Sequence, residues 1–489
     1  MRQVAYSAHD NAKHAYRSSS KQLTDEWLDC VSRLNGDKQG TLQAADFMEH
    51  SSAIVHDEVT PCTAIPRLFD SKTRETMRHA AQTMHSILCK VIRHYVSDPA
   101  YRTLFSFDPR LEKLILAPCG HNALLPFARY DIFLNEDTGD FVFCELNADG
   151  SSGMNEDREV ARATRLTGAY SLFNRTHAIE GNELFDSWVD TFLGIYSSGA
   201  HASPTPHVAI CDYLECATLS EFQEYQAAFE QHGMACSICD VRDLIVREGR
   251  LCTREGKPID VIWRRCVTSD ILSHWNESRV FINAVCDNLA MMIGGFSSHI
   301  AHDKQIFRVL RMPQTQAILT KEENEFVRRH VPYTTFLDER FIDLNEVIAR
   351  KDRWVIKPTD CYGAKEVHLG IEETPQHWHD LICACANGAA GNMFLAQAFA
   401  RPFRTLTTPL AEAASWAQCQ QQGSPRQSPP APRLYANLSG LYVFNGEFKG
   451  VFSRLGPNEI VTGLAGGLTA ATFWVDCEQR ENSPAAPCV

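Results

Sequence analysis

Long apolar runs are missing from this chain. No stretch of about 18 consecutive apolar residues occurs, so no membrane-spanning helix is expected. The opening segment, MRQVAYSAHDNAKHAYRSSS, has no apolar core of signal-peptide length. Positive charge is also short. Lys and Arg number 47 against 60 Asp and Glu, a net charge of −13. That balance argues against nucleic acid as a partner, whose binding needs concentrated Lys and Arg, and it suits a cationic substrate. The 18 cysteines are numerous but scattered. Without a secretion signal they read as buried thiols rather than a disulfide framework. Cys236 and Cys239 form a CxxC inside the apolar run MACSICDV. No second pair stands at zinc spacing, so a structural strand is expected there.

What is present is ordinary globular composition, 44% hydrophobic and 22% charged, over 489 residues. That length suggests two to four domains or one composite enzyme, at about 150 residues per domain. The stretch from Arg129 to Glu159, RYDIFLNEDTGDFVFCELNADGSSGMNEDRE, is the most informative. Two runs of β-formers flank the turn-rich NEDTGD, which predicts a hairpin. Alternation puts Arg129 and Asp131 on one face, and Glu145 and Asn147 on one face of the second strand. If the faces coincide, an arginine, two carboxylates and an amide converge. Such oxygen donors suit Mg²⁺ with a phosphate-bearing substrate, and the arginine suits a phosphate oxygen. The same pattern also fits the solvated face of an antiparallel pair.

In chain order, residues 1–110 carry no recognisable domain and read as a mostly helical extension. Met77, Ala81, Met84, Leu88, Val91 and Tyr95 recur at three- and four-residue steps and predict one strong helix. From about 206 to 266, VAICDY, EFQEYQAAFEQHG, MACSICDV and IDVIWRR read as strand, helix, strand, strand, a βαβ layer. No GxGxxG follows its first strand, so the dinucleotide fingerprint is absent. Residues 270–330 read as mostly helical and include HDKQIF, with Lys304. RWVIKPTDCYGAKEVHLG reads as a strand ending at Lys357, then a loop with Gly363. MFLAQAFA reads as a buried strand around Gln397. Residues 411–432, rich in Pro, Ser and Gln, read as a disordered or loosely held insertion. LYANLSGLYVFNGEFKGVFSRLG predicts a hairpin turning at Asn445-Gly446. The tail, 479–489, reads as disordered.

Taken together, RYDIF…FCELNAD, IDVIWRR, HDKQIF, WVIKPTDCYGAKEVHLG and NLSGLYVFNGEFKGVFSRLGP resemble the glutathionylspermidine synthase family of circularly permuted ATP-grasp ligases. The resemblance covers about residues 120–475 and includes the permuted order, metal ligands before lysines. It implies an α/β fold with α+β elements, a permuted ATP-grasp around a Rossmann-like layer. The domains expected are 1–110, the helical extension; 111–205, the metal-ligand part; 206–268, the α/β subdomain; and 269–478, the ATP-binding part. The resemblance places Mg²⁺ on Asp131, Glu145 and Asn147, and puts Arg129 and Arg454 at the transferring phosphoryl group or substrate. It assigns ATP to Lys304, Lys357, Gly363, Lys365 and Gln397. Arg264 and Arg265 end the third strand of the layer, where open α/β sheets bind ligands, and are candidates to clamp a substrate carboxylate. Asp149, Glu156 and Asp157 are candidates, by proximity alone, for the base that deprotonates an amine. Acidic residues also favour a helix's first turn, which explains Glu156 and Asp157 equally well.

The implied reaction joins a small carboxylate or peptide to an amine through an acyl phosphate, releasing ADP and phosphate, with ATP and Mg²⁺ required. A non-catalytic nucleotide-binding relative and a phosphotransferase share the same residues. A cytoplasmic protein is expected, from the missing signal and the need for ATP. One departure stands out. Many relatives carry two adjacent glycines after the loop tyrosine, then Lys-Gly-Val; here Tyr362 is followed by Gly363, Ala364, Lys365, Glu366 and Val367. Loss of two glycines stiffens a loop whose backbone approaches phosphate. No N-terminal cysteine amidase domain is recognisable, so amidase activity is not expected.

Overall fold

The apolar stripe between Met77 and Tyr95 forms one face of a 27-residue helix, Ser71–Ser97, in the computed structural model. The structure describes residues 19–55, 57–199, 203–360, 366–388, 393–422, 428–461 and 466–476. Asp70 caps the helix by accepting the Thr73 N–H at 2.8 Å. All six stripe residues are buried, packed on the sheet that carries the candidate site.

That sheet has six strands, all antiparallel to their neighbours. Leu468–Ala470, Glu447–Gly456, Arg433–Phe444, Phe127–Leu134 and Phe141–Asn147 lie in that spatial order, and Arg404–Thr407 also pairs with Arg433–Phe444. It is thus built from two hairpins lying side by side, the central one (127–147) and the late one (433–456). The late turn is the expected one: Asn445 and Gly446 both have positive φ, +45° and +93°, as a two-residue primed turn requires.

The βαβ layer is a four-stranded parallel sheet in the order Met291–Ile293, Val261–Arg264, His207–Asp212, Ala235–Asp240. Helix Leu219–Gln231 makes the crossover. Cys236 and Cys239 sit on the last strand as free, buried thiols. Among the described residues no group of three or more His, Cys, Asp or Glu is arranged to hold a metal by itself.

A third sheet, antiparallel, has the order Thr334–Phe336, Phe394–Ala398, Trp354–Pro358, His368–Leu369. It has its own core with helices Leu344–Ala349 and Pro375–Cys385, around Val347, Ile356 and Trp378.

Two segments add to the sequence reading. The N-terminal region is packed into the rest of the fold. Its strand Arg67–Asp70 runs parallel to Thr472–Asp476 in a sheet completed by Ala178–Gly181, and its first helices share a core with residues near 160–173. Leu410–Gln421, expected to be loosely held, is a helix lying on the helix Lys38–Glu49. Leu410, Ala413 and Ala417 supply a narrow buried stripe that the surrounding Gln and Ser obscure in the composition. Residues 423–427, within that segment, and 477–489, which include the tail, lie outside the described residues. No described helix is long and apolar enough to cross a membrane.

Candidate functional site

The central hairpin aligns its two strands as the alternation requires. Arg129 faces Asn147 across the pair and Asp131 faces Glu145. The register then shifts, so that Ile132 faces Phe143 and Cys144 is extra. This bulge resolves a conflict. Phe141 and Phe143 belong in the core with Tyr130 and Ile132, whereas strict alternation would send Phe143 to the same side as Glu145. One inserted residue lets both needs be met.

Asp131 is the centre of the resulting patch and is 1% exposed. It accepts from Arg129 Nε at 3.0 Å and Asn147 Nδ2 at 3.1 Å, and it pairs with Arg454 from the late hairpin. Arg129 also donates to Ser152 O. The space is shaped by Gly440, which faces Asp131 in register on the neighbouring strand. A Cβ there would lie 2.8 Å from Asp131 Oδ1 and 2.7 Å from Arg129 Cδ. The sequence reading missed this residue, although a glycine inside the strand LSGLYVF is a signal of close approach.

The two lysines arrive from the other side. Lys304 Nζ lies 3.1 Å from Glu145 Oε1, and the Lys304 backbone N–H donates to Thr359 O at 2.8 Å. Lys357 Nζ donates to Cys144 O at 3.4 Å and sits 5.2 Å from the Phe307 ring centre. Burial alone would raise Glu145, but Lys304 and Lys357 overcome it and hold the carboxyl down to about 2. Burial pushes Lys357 down to about 8, only partly offset by Cys144. Gln397, 6% exposed, sits on an inner strand of the third sheet and donates to Thr334 Oγ1 at 2.9 Å. Gly363 and Lys365 lie outside the described residues. Glu366 is described and takes φ +56°.

Arg264 and Arg265 do not present a free edge to a ligand. Arg264 donates to the carbonyls of Gly294 at 2.6 Å and Cys266 at 2.7 Å, and pairs with Asp149. Arg265 donates to Ser151 O at 2.6 Å and approaches Glu221 at 3.5 Å. Both are 3% exposed. These contacts tie the exit of the central hairpin to the end of the parallel sheet. Asp149 also accepts the Thr268 N–H at 2.7 Å. Burial opposes its charge, but Arg264 and His299 hold it well below the usual carboxylate range, which makes it a poor proton acceptor.

Glu156 and Asp157 occupy the first turn of helix Met154–Arg165 and are both buried. Burial and the neighbouring Glu221 push Glu156 up to about 8. Glu221 itself caps that helix from outside, accepting the N–H groups of Gly153 at 3.0 Å and Met154 at 2.8 Å. The sequence also gave no warning of His299 and His302, buried one turn before Lys304, whose rings lie 3.9 Å from Asp360.

No protein-family model matches the chain, and no curated protein matches it. Among solved structures, a glutathione synthetase-like effector from Globodera pallida, in its apo form, matches with a TM-score of 0.56 at 11% identity, over 93% of this chain and 97% of that one. The fold is of the ATP-grasp type. At that identity the likeness is one of fold alone. A protein assigned as a gamma-glutamylcysteine synthetase, from Methylobacillus flagellatus KT, matches at 9% identity over 80% of this chain and 88% of that one. Its TM-score of 0.40 carries no argument.

Proposed function

We propose that this chain is an ATP-dependent carboxylate–amine ligase of the glutathionylspermidine synthase kind, forming an amide through an acyl phosphate and releasing ADP and phosphate. The observation that carries this reading is the convergence of Asp131, Glu145 and Asn147 with two arginines and two buried lysines from four separate segments. The donor set fits Mg²⁺: two carboxylates opposite one another and an amide oxygen, all hard ligands. Bound there, Mg²⁺ would supply Lewis-acid charge neutralisation to the nucleotide phosphates.

The chain's own groups do the rest. Arg129 and Arg454 stabilise the charge that grows on the transferring phosphoryl group, an effect for which removing one donor costs about 3 kcal/mol or about a hundredfold in rate. Lys304 and Lys357 hold the nucleotide phosphates as point charges. Lys304 pairs with Glu145 and Arg454 with Asp131, so nucleotide phosphates and these carboxylates compete for the same cations. The strand around Gln397 meets the adenine. The substrates are a small carboxylate or peptide and an amine. Asp131→Ala and Glu145→Ala are each expected to abolish ADP release; full activity in both would end this reading.

One observation favours a second reading, nucleotide binding without turnover. Glu366 stands where the resemblance places glycine, and its backbone is left-handed, which costs a non-glycine residue about 1–2 kcal/mol. Glu366→Gly separates the two. A ligase already active gains at most a few-fold, whereas a stalled one acquires ADP release it lacked.

A further inference from the structure

A second cavity lies beside the third sheet, between helix Leu344–Ala349 with the segment before it and helix Pro375–Cys385. It holds about 680 Å³, and none of the hairpin, arginine, lysine or glutamine groups of the candidate site lines it. Two of its wall residues, His379 and Cys383, carry the imidazole and thiol that ligate borderline-soft metals.

Both side chains are exposed and stand one helical turn apart. Cys383 Sγ lies 4.0 Å from each ring nitrogen of His379. Tetrahedral Zn²⁺ holds a thiolate sulfur and an imidazole nitrogen about 3.6 Å apart. A small turn of the ring closes that gap. The ring is also oriented: His379 Nδ1 donates to Asp380 Oδ1 at 3.3 Å, since an ionised carboxylate only accepts. That leaves Nε2 of the neutral ring with the lone pair a metal needs. A carboxylate behind a ligating imidazole is the usual outer support of a metal site. Asp380 in turn accepts from Gln376 Nε2 at 2.9 Å.

The surroundings favour a cation. The exposed carboxylates of Glu339 and Asp343 line the same cavity. Nearby on the helix, His377 is engaged with Glu373, and Cys385 is turned into the core with Val347 and Trp378. The same spacing recurs at His85 and Cys89, where Sγ and Nε2 are 3.3 Å apart. There burial pushes the thiol up to about 11, which opposes a thiolate ligand. Cys383, by contrast, is exposed.

We propose that His379 Nε2 and the Cys383 thiolate bind one Zn²⁺ ion, with water filling the positions the protein leaves open. The thiol proton passes to solvent as the metal–sulfur bond forms. Two protein ligands make the site open and exchangeable, in keeping with the lack of any three-ligand group among the described residues. It is independent of the ligase reading and needs no turnover to be seen.

The test is alkylation of the reduced full chain by iodoacetamide, with and without Zn²⁺, read cysteine by cysteine from peptide masses. Cys216 and Cys419, also exposed, are the internal comparisons. Expected is alkylation of Cys383 slowed about tenfold or more by Zn²⁺ and restored by EDTA, because a metal-held sulfur is no longer a free nucleophile. Cys216 and Cys419 keep their rates. In His379→Gln, a change at an exposed position, Cys383 keeps its metal-free rate and loses the protection. With Cd²⁺ as a second probe, the sulfur-to-metal absorption band at one equivalent is smaller in Cys383→Ser than in the parent. No protection of Cys383, protection that survives in His379→Gln, or equal protection of Cys216 and Cys419 would overturn the proposal.

Discussion

Gly440→Ala adds one methyl group at the point where the two hairpins meet. Gly440 is not among the residues with positive φ, so its backbone accepts alanine without strain. The effect is therefore one of space alone. The new Cβ would stand 2.7 Å from Arg129 Cδ, 2.8 Å from Asp131 Oδ1 and 3.0 Å from Arg129 Nε. Ordinary contacts of this kind begin near about 3.5 Å, so the buried pair must retreat by roughly 0.7 Å or the strands must part. Overpacking of this size costs about 1–3 kcal/mol of stability. Its effect on rate is of similar size in free energy, since moving reacting groups by about 1 Å costs about a hundredfold. The assay is ADP release with MgATP and an active acid–amine pair, read beside a melting curve. Gly194→Ala, where a Cβ meets nothing within 4 Å, is the control and should match the parent. A Gly440→Ala protein that turns over within about twofold of the parent would refute the placement of Asp131 and Arg129 at the reacting centre.

Three further outcomes are expected. Lys357 is held down to about 8, so it loses its charge as pH rises through 8; ATP affinity measured by titration should weaken about tenfold between pH 7 and 9, and Lys357→Met should abolish that dependence. Glu156 is raised from 4.5 to about 8, so the parent loses stability as pH climbs through that window. Glu156→Gln should melt higher than the parent at pH 8 and close to it at pH 4; a lower melting point at pH 8 would contradict the buried pairing with Glu221. Arg264→Met should act on stability, because it strands Asp149 without its guanidinium in the interior. Breaking such a pair costs about 3–5 kcal/mol, and a normal melting point with a raised KM for the acid would instead restore the clamp.

The central hairpin was legible because period-two alternation and turn residues are local. The same locality explains the helix at 71–97, the βαβ layer and the Asn445-Gly446 turn. What escaped depended on partners distant in sequence. The Cys144 bulge arises because Phe143 must reach a core shared with the helix at 71–97. Gly440 matters only because the late hairpin lies beside Asp131. Arg264 and Arg265 had the chemistry of a carboxylate clamp, but several of their donors go to the backbone carbonyls of residues 266, 294 and 151. Nothing local marks a carbonyl as waiting for an arginine. The Leu410–Gln421 helix was hidden by composition, since its buried stripe is made of one leucine and two alanines.

The most direct measurement of the central claim is ADP formation with MgATP across a crossed panel of small carboxylates, peptides and amines, with Asp131→Ala as the blank. Expected is ADP that appears only when one acid and one amine are both present and that vanishes in the blank. ADP with an acid alone would indicate a phosphotransferase. ATP binding with no ADP across the panel, or ADP undiminished in Asp131→Ala, would contradict a ligase built on this hairpin.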